Sequence, residues 1–251
     1  MDWNLRRQEV LDAPQLKRML TANPAKAAQA VLIAAGQGLV EAQALLGQIL
    51  LDGRGIEKDA PLAVKWFAIA AANGHVMARN MLGRCHEQGW GCAVDLGAAA
   101  QHYRLAAGAD LDWGLYNLGN LLGTGRGVAL DQAAAFACYQ RAATMGHAKS
   151  MNLLGRYLEQ GLAGVQNVEQ AHRWYHRSAL AGDFRGQFSH AAVQLERGDV
   201  EGALVWLQTA LEGGNANFLR ISGPLLMQSH HAQVKAMGGA YMARLRELTS
   251  I

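Results

Sequence analysis

The chain has 251 residues, of which 51% are hydrophobic and 17% charged, and its formal net charge is only +3. That length admits one or two globular domains or a single repeat array, with ample apolar material for a core. Few prolines, abundant Ala and Gly and no concentrated basic stripe favour closely packed helices and exclude the usual electrostatic footprint of a nucleic-acid binder.

In chain order, Met1 to Leu11 (MDWNLRRQEVL) holds no apolar run suited to a secretory signal. No later stretch approaches the roughly 18 apolar residues of a membrane span. The three cysteines, Cys85, Cys92 and Cys138, lack a bridge-framework spacing, so a reducing, cytoplasmic setting is expected. Met1–Ala22 reads as an N-terminal cap. Asn23 followed by Pro24 marks a helix start. Ala34, Ala35 and Gly38 close that helix as the second half of a degenerate unit, giving a cap and half-repeat over residues 1–40.

A fixed step of 36 residues then organises the chain into units 41–76, 77–112, 113–148 and 149–184. It links Gly47, Gly83, Gly119 and Gly155, and likewise Gly53, Gly89, Gly125 and Gly161. Asp59, Asp95, Asp131 and Asn167 form another ladder, and Phe67, Tyr103, Tyr139 and Tyr175 a further one. In each unit a first helix, such as Glu41–Leu51, carries a Gly where a neighbouring helix must press close. A Gly inside a helix costs up to ~1 kcal/mol against Ala, so its recurrence needs that reason. The helix stops at Gly53, and Gly53-Arg54-Gly55 supplies a turn. Asp59 and its equivalents are N-cap candidates, and the second helix, Ala60–Asn73, buries Ala63, Phe67 and Ala70/Ala71 along one stripe.

Towards the C-terminus the step shortens to 32, from Asn167, Ala171, Trp174 and Gly182 to Asp199, Ala203, Trp206 and Gly214. The lost residues fall in the turn, where RGDVEG (Arg197–Gly202) replaces the Gly-rich loop of a shortened, tetratricopeptide-like unit at 185–216. Residues 217–251 read as a C-terminal helical cap, with Val234, Met237, Tyr241, Leu245 and Leu248 at helical spacing. A dimer helix is the competing reading of that segment.

The third unit carries the whole pattern in Leu118, Gly119, Gly125, Gly127, Val128, Asp131, Ala135, Tyr139, Ala142, Ala143 and Gly146. It resembles the Sel1-like repeat family, bacterial type, a relative of the tetratricopeptide repeat with a longer inter-helix loop. Two departures affect only loops and neighbouring positions: Leu50, His86, Leu122 and Leu158 stand where a tyrosine is often found, and Ala163 replaces a loop glycine. The resemblance implies an all-α fold, a right-handed α-solenoid of stacked helix-turn-helix repeats with helical caps. It also implies a non-catalytic adaptor or scaffold that binds a protein or extended peptide in a concave groove.

No enzyme signature competes with that expectation. Cys85-His86 and Cys92 could suggest zinc, but structural zinc wants four ligands and no second cluster is suitably spaced. Cys85 also occupies a position held by Ile49, Leu121 and Tyr157 elsewhere, which is helix packing. His172 and His176 share a helix face without a local third ligand. The Gly-x-Gly elements lie between helices, so neither a dinucleotide nor a phosphate loop is indicated. No metal and no cofactor are expected.

In related tetratricopeptide arrays the first helices line the concave face. By register the groove would then take Asn80 and Arg84, Trp113, Tyr116 and Asn120, and Lys149, Asn152 and Arg156. Amides can hold a peptide backbone, guanidinium groups read carboxylates, and aromatic rings supply rigid contact area. The expected partner is a protein or peptide, acidic or carboxylate-ended, with no nucleic acid and no membrane, and the chain a monomer or weak homodimer. Alternatives are a metal- or ligand-binding accessory protein to an enzyme, and a structural oligomer built through the C-terminal helix.

Overall fold

The computed structural model describes residues 22–164 and 166–250. The cap read at Met1–Ala22 therefore lies outside the described residues, apart from Ala22. Among the described residues there are thirteen helices and no strand. They are α1 (Pro24–Gly36), α2 (Val40–Asp52), α3 (Ala60–Ala72), α4 (Val76–Gln88) and α5 (Leu96–Gly108). There follow α6 (Asp112–Thr124), α7 (Gln132–Thr144), α8 (Ala148–Gln160), α9 (Val168–Leu180) and α10 (Phe184–Glu196). The last three are α11 (Val200–Gly213), α12 (Ala216–Met227) and α13 (Ala232–Thr249).

The chain divides after Ala109 into two compact units, α1–α5 in the first and α6–α13 in the second. Within each, consecutive helices pair as hairpins and successive hairpins stack, the arrangement of an all-α solenoid. The 36-residue ladders have a direct steric cause. A Cβ built on Gly47, Gly83, Gly119 or Gly155 would lie 2.7, 2.5, 2.8 or 2.6 Å from the ring of Phe67, Tyr103, Tyr139 or Tyr175. Each hairpin is thus closed by a ring lying on the partner helix's glycine, and every one of these rings is buried.

The turns obey the same economy. Gly53, Gly89, Gly125 and Gly161 end the first helices in the left-handed region, at φ between +65° and +72°, where a Cβ is disfavoured. Gly55 and Gly91 admit a close backbone approach, since a Cβ would meet the carbonyl carbon of Pro24 at 2.1 Å or of Ala60 at 2.2 Å. In the fourth repeat, with Ala163 in that place, the positive φ moves to Gly164 at +83°. Asn23, Asp59, Asp95, Asp131 and Asn167 each accept the N–H three residues on, at 2.8–3.1 Å. One of the helix's otherwise unpaired donors is satisfied that way.

Residues assigned as a C-terminal cap contain a further hairpin, α12 with α13, which also packs on α11. Its helices begin 32 residues after α10 and α11, so the shorter step continues. Val234, Tyr241 and Leu245 are buried there, while Leu248 is exposed. Tyr241 Oη donates to the Leu207 carbonyl at 2.7 Å, tying α13 to α11.

Candidate functional site

In the first unit, α2 and α4 set Gln48, Met81 and Arg84 around one cleft, completed by Asp52, Lys58 and Trp90, with a volume of about 520 Å³. Gln48 Nε2 donates to Asp52 Oδ1 at 2.9 Å. The Arg84 guanidinium lies 4.8 Å from the centroid of the Trp90 ring. Stacking fixes the plane of the fork, and an oriented fork suits bidentate recognition of a carboxylate. Asn80 departs from its assigned role. It is 2% exposed, with Nδ2 3.9 Å from Met77 Sδ, and it is not among the side chains lining the cleft.

In the second unit, the N-terminal turns of α6 and α8 assemble an aromatic cluster. Trp113, 37% exposed, meets the His147 ring edge-on at 4.7 Å and Tyr116 at 6.0 Å. Tyr116 and His147 are 5.0 Å apart. Lys149 Nζ sits 5.0 Å from the Trp113 centroid and 6.0 Å from that of Tyr116. Beneath the cluster His147 is buried, and its Nδ1 accepts the Ser150 N–H at 3.3 Å as the N-cap of α8. Burial holds His147 below the ordinary imidazole range and Lys149 adds to this, while Asp112 opposes it. A neutral Nδ1 acceptor is what a cap requires.

The remaining second-unit residues divide by their hydrogen bonds. Asn120 Oδ1 accepts from Tyr139 Oη at 2.9 Å, and Asn152 Oδ1 accepts from Ser189 Oγ at 2.9 Å. Both carbonyls are used internally. Arg156 is exposed. Three participants were not singled out from the sequence. Trp90 stands where the first and third loops have Arg54 and Arg126. His147 recurs at 72 residues from His75, another N-cap, at 3.0 Å from the Ala78 N–H. Ser189 carried no sequence signal.

The thiols are unsuited to nucleophilic chemistry. Burial pushes Cys85 up to about 11, with neighbouring Cys92 adding to the effect, and burial also raises Cys92 and Cys138. Cys92 Sγ lies 3.7 Å from His86 Nδ1. Among the described residues no three His, Cys, Asp or Glu side chains gather as a metal-ligand set. His172 Nδ1 instead faces Arg197 Nη2 at 3.2 Å. On the second-helix side of α9, Arg177 stacks on Trp174 at 4.3 Å beside Gln170 and Arg173.

Comparison with known proteins recognises the repeats that carry these side chains. A family model described as Sel1 repeat matches residues 40–75, 76–111, 114–147 and 148–183. Among solved structures, a Sel1 repeat protein from Oxalobacter formigenes is 25% identical with a TM-score of 0.79, over 94% of this chain and 99% of that one. The uropathogenic Escherichia coli protective antigen c5321, of SLR fold, is 25% identical with a TM-score of 0.70, over 92% of this chain and 52% of that one. Immunity protein Pa5087 from Pseudomonas aeruginosa shares the fold at 16% identity and a TM-score of 0.55, over 83% of this chain and 81% of that one. No match is found among curated proteins.

Proposed function

Because the chain belongs to the Sel1 repeat family, whose fold commonly mediates protein–protein interaction, we propose that it is a non-catalytic adaptor or scaffold. It holds a protein or an extended peptide against the first-helix faces of its repeats, as a monomer or weak homodimer. The observation that carries this reading is the Trp113–Tyr116–His147 cluster with Lys149 above it. A partly exposed Trp braced on two sides costs little entropy to immobilise, and such rings dominate interface energetics. Lys149, Arg84 and Arg156 give the surfaces their positive charge, which favours an acidic or carboxylate-ended partner. Among the described residues no helix is long and apolar enough to cross a membrane. Free cysteines held as thiols suit a reducing, cytoplasmic setting.

The test compares partner capture by the intact chain, a Trp113→Ala/Lys149→Ala variant and an Arg173→Glu/Arg177→Glu variant on α9. Removing an interface anchor costs about 2 kcal/mol or more, roughly thirtyfold in affinity. The first variant should lose the partner with unchanged helicity, and the second should keep it. The reverse pattern places binding on the second-helix side and overturns the reading.

A further inference from the structure

One cluster of titratable side chains serves neither the proposed surfaces nor the repeat ladders. It lies in the second unit, in the seam where α9 meets α10. The His176 ring of α9 packs at 4.6 Å on the His190 ring of α10. His190 also meets Trp206 of α11 nearly edge-on, at 5.5 Å. His172, one turn before His176, faces the guanidinium of Arg197 at the end of α10. His190 Nδ1 and, one turn later, Gln194 Oε1 are both buried without a hydrogen-bond partner.

The charges around this seam are one-sided. Those that act on His190 come from His176 and His172 of α9 and from Arg197 of its own helix, and all disfavour a proton there. No carboxylate is among the groups that act on His190, and Glu196 of α10 acts instead on Tyr175 of α9. Glu169 pairs with Arg173 at 3.5 Å, and Asp199 accepts from Gln194 Nε2 at 3.3 Å and from the Gly202 N–H at 2.9 Å. From α11 the group in contact is the uncharged Trp206.

We propose that this seam is an acid-sensitive joint: proton uptake at His190 puts an imidazolium among His176, His172 and Arg197 with no carboxylate to receive it, and α10 loosens from α9. The direction follows from linkage. Burial first, then the same three neighbours, holds His190 down at about 4 in the packed seam, whereas a released imidazole titrates near 6.5. An open seam therefore binds more protons across that interval. Packing is strongest above about 6.5, weakens as pH falls, and has lost the whole contribution near 4. Because the joint depends on His190 being packed and not on any bound partner, it stands apart from the proposed binding function.

Amide hydrogen exchange of the full chain, read by mass spectrometry and corrected for intrinsic rates, tests it. Peptides spanning α1 and α2, a stretch without histidine and packed on the histidine-free α3, serve as the internal reference. Full linkage predicts roughly thirtyfold more opening of the seam at pH 5 than at pH 7.5, and solvent screening of this partly buried ring reduces that to about tenfold. Exchange across α10 should rise by that factor, while the α1–α2 reference stays level. His190→Phe, which keeps a ring against His176 and Trp206 but cannot take a proton, should abolish the rise. An equal rise in the variant, or none in the intact chain, overturns the proposal. Should His190→Phe fail to fold, the imidazole of His190 is titrated directly by NMR in the intact chain. A midpoint well below 6.5 supports the joint, and one at or above 6.5 removes it.

Discussion

The 36-residue hairpins and the two C-terminal hairpins close the gap between their helices in different ways. In α8–α9, Gly155 lies under the ring of Tyr175. Advancing Gly155 by 36 residues and Tyr175 by 32 reaches Ala191 on α10 and Leu207 on α11, both buried in one core cluster. As the glycine gains a methyl, the ring shrinks to an isobutyl group, so the pair fills a similar volume. In α12–α13 the solution changes again. A Cβ on Gly238 would meet the Met227 nitrogen at 2.7 Å and the Gly223 carbonyl oxygen at 2.9 Å, so two backbones approach directly. The loops differ in parallel, Gly53–Asp59 in a long repeat against Arg197–Asp199 in the short one. What the fold preserves is the filled seam, and residue identity follows from how each hairpin fills it.

The harshest break of that comparison is Gly238→Ala. Side chains can rotate away from an added methyl, but backbone atoms move only with their helix. Overpacking costs typically ~1–3 kcal/mol and sometimes more, and this site belongs at or above the upper end. Urea unfolding followed by circular dichroism should show the loss, and hydrogen exchange should confine it to α12 and α13. A loss below about 1 kcal/mol would mean that the helices separate freely and that the backbone contact is not what holds them.

This contrast also explains which parts were legible in the sequence. The 36-residue ladders were visible because a glycine facing a ring admits few substitutes, and a left-handed helix end fewer still. The N-cap ladder was visible because only short oxygen-bearing side chains reach back to the N–H three residues on. The α12–α13 hairpin was obscured. Its packing uses glycines without an aromatic partner, and Pro224 inside α12 reads as a helix breaker. Among the groove residues, helix register alone gave the side chain's direction and not its burial, so Asn80 was misjudged. Trp90 and His147 belonged to loops and caps, whose side-chain placement depends on tertiary neighbours that a periodic pattern does not encode.

A gentler intervention sharpens the comparison by moving one solution into the other. Gly119→Ala places a methyl 2.8 Å from the Tyr139 ring. It should cost ~1–3 kcal/mol, less the ~1 kcal/mol that Ala contributes as a better helix former. Tyr139→Leu loses ring area and the hydrogen bond to Asn120 Oδ1. Together they recreate the Ala191–Leu207 arrangement, so the double variant should lose about 1 kcal/mol less than the sum of the singles, within the coupling seen for touching residues. Additive losses in the urea series would show that glycine and ring do not compete for one space.

The smallest effect tests whether the unit ends need glycine or only its backbone angle. Gly38, Gly74, Gly146 and Gly182 close their units at φ between +84° and +98°. The same register holds Asp110, at φ +57° the one non-glycine residue with positive φ among the described residues. Asp tolerates that region better than most residues because its short polar side chain bonds locally. Here it also pairs with Arg141, both side chains being largely in solvent. Asp110→Asn keeps the conformational tolerance and removes only the charge, so it should cost no more than the ~0.2–1 kcal/mol of an exposed ion pair. That difference should vanish in high salt, where such pairs are screened. Asp110→Gly removes the pair but relaxes the backbone, so its melting temperature should stay within a degree or two (about 0.5 kcal/mol) of the intact chain. If Asp110→Asn instead costs several kcal/mol at every salt concentration, the carboxylate itself is structural. The unit end would then be held by Arg141 and not by the left-handed turn.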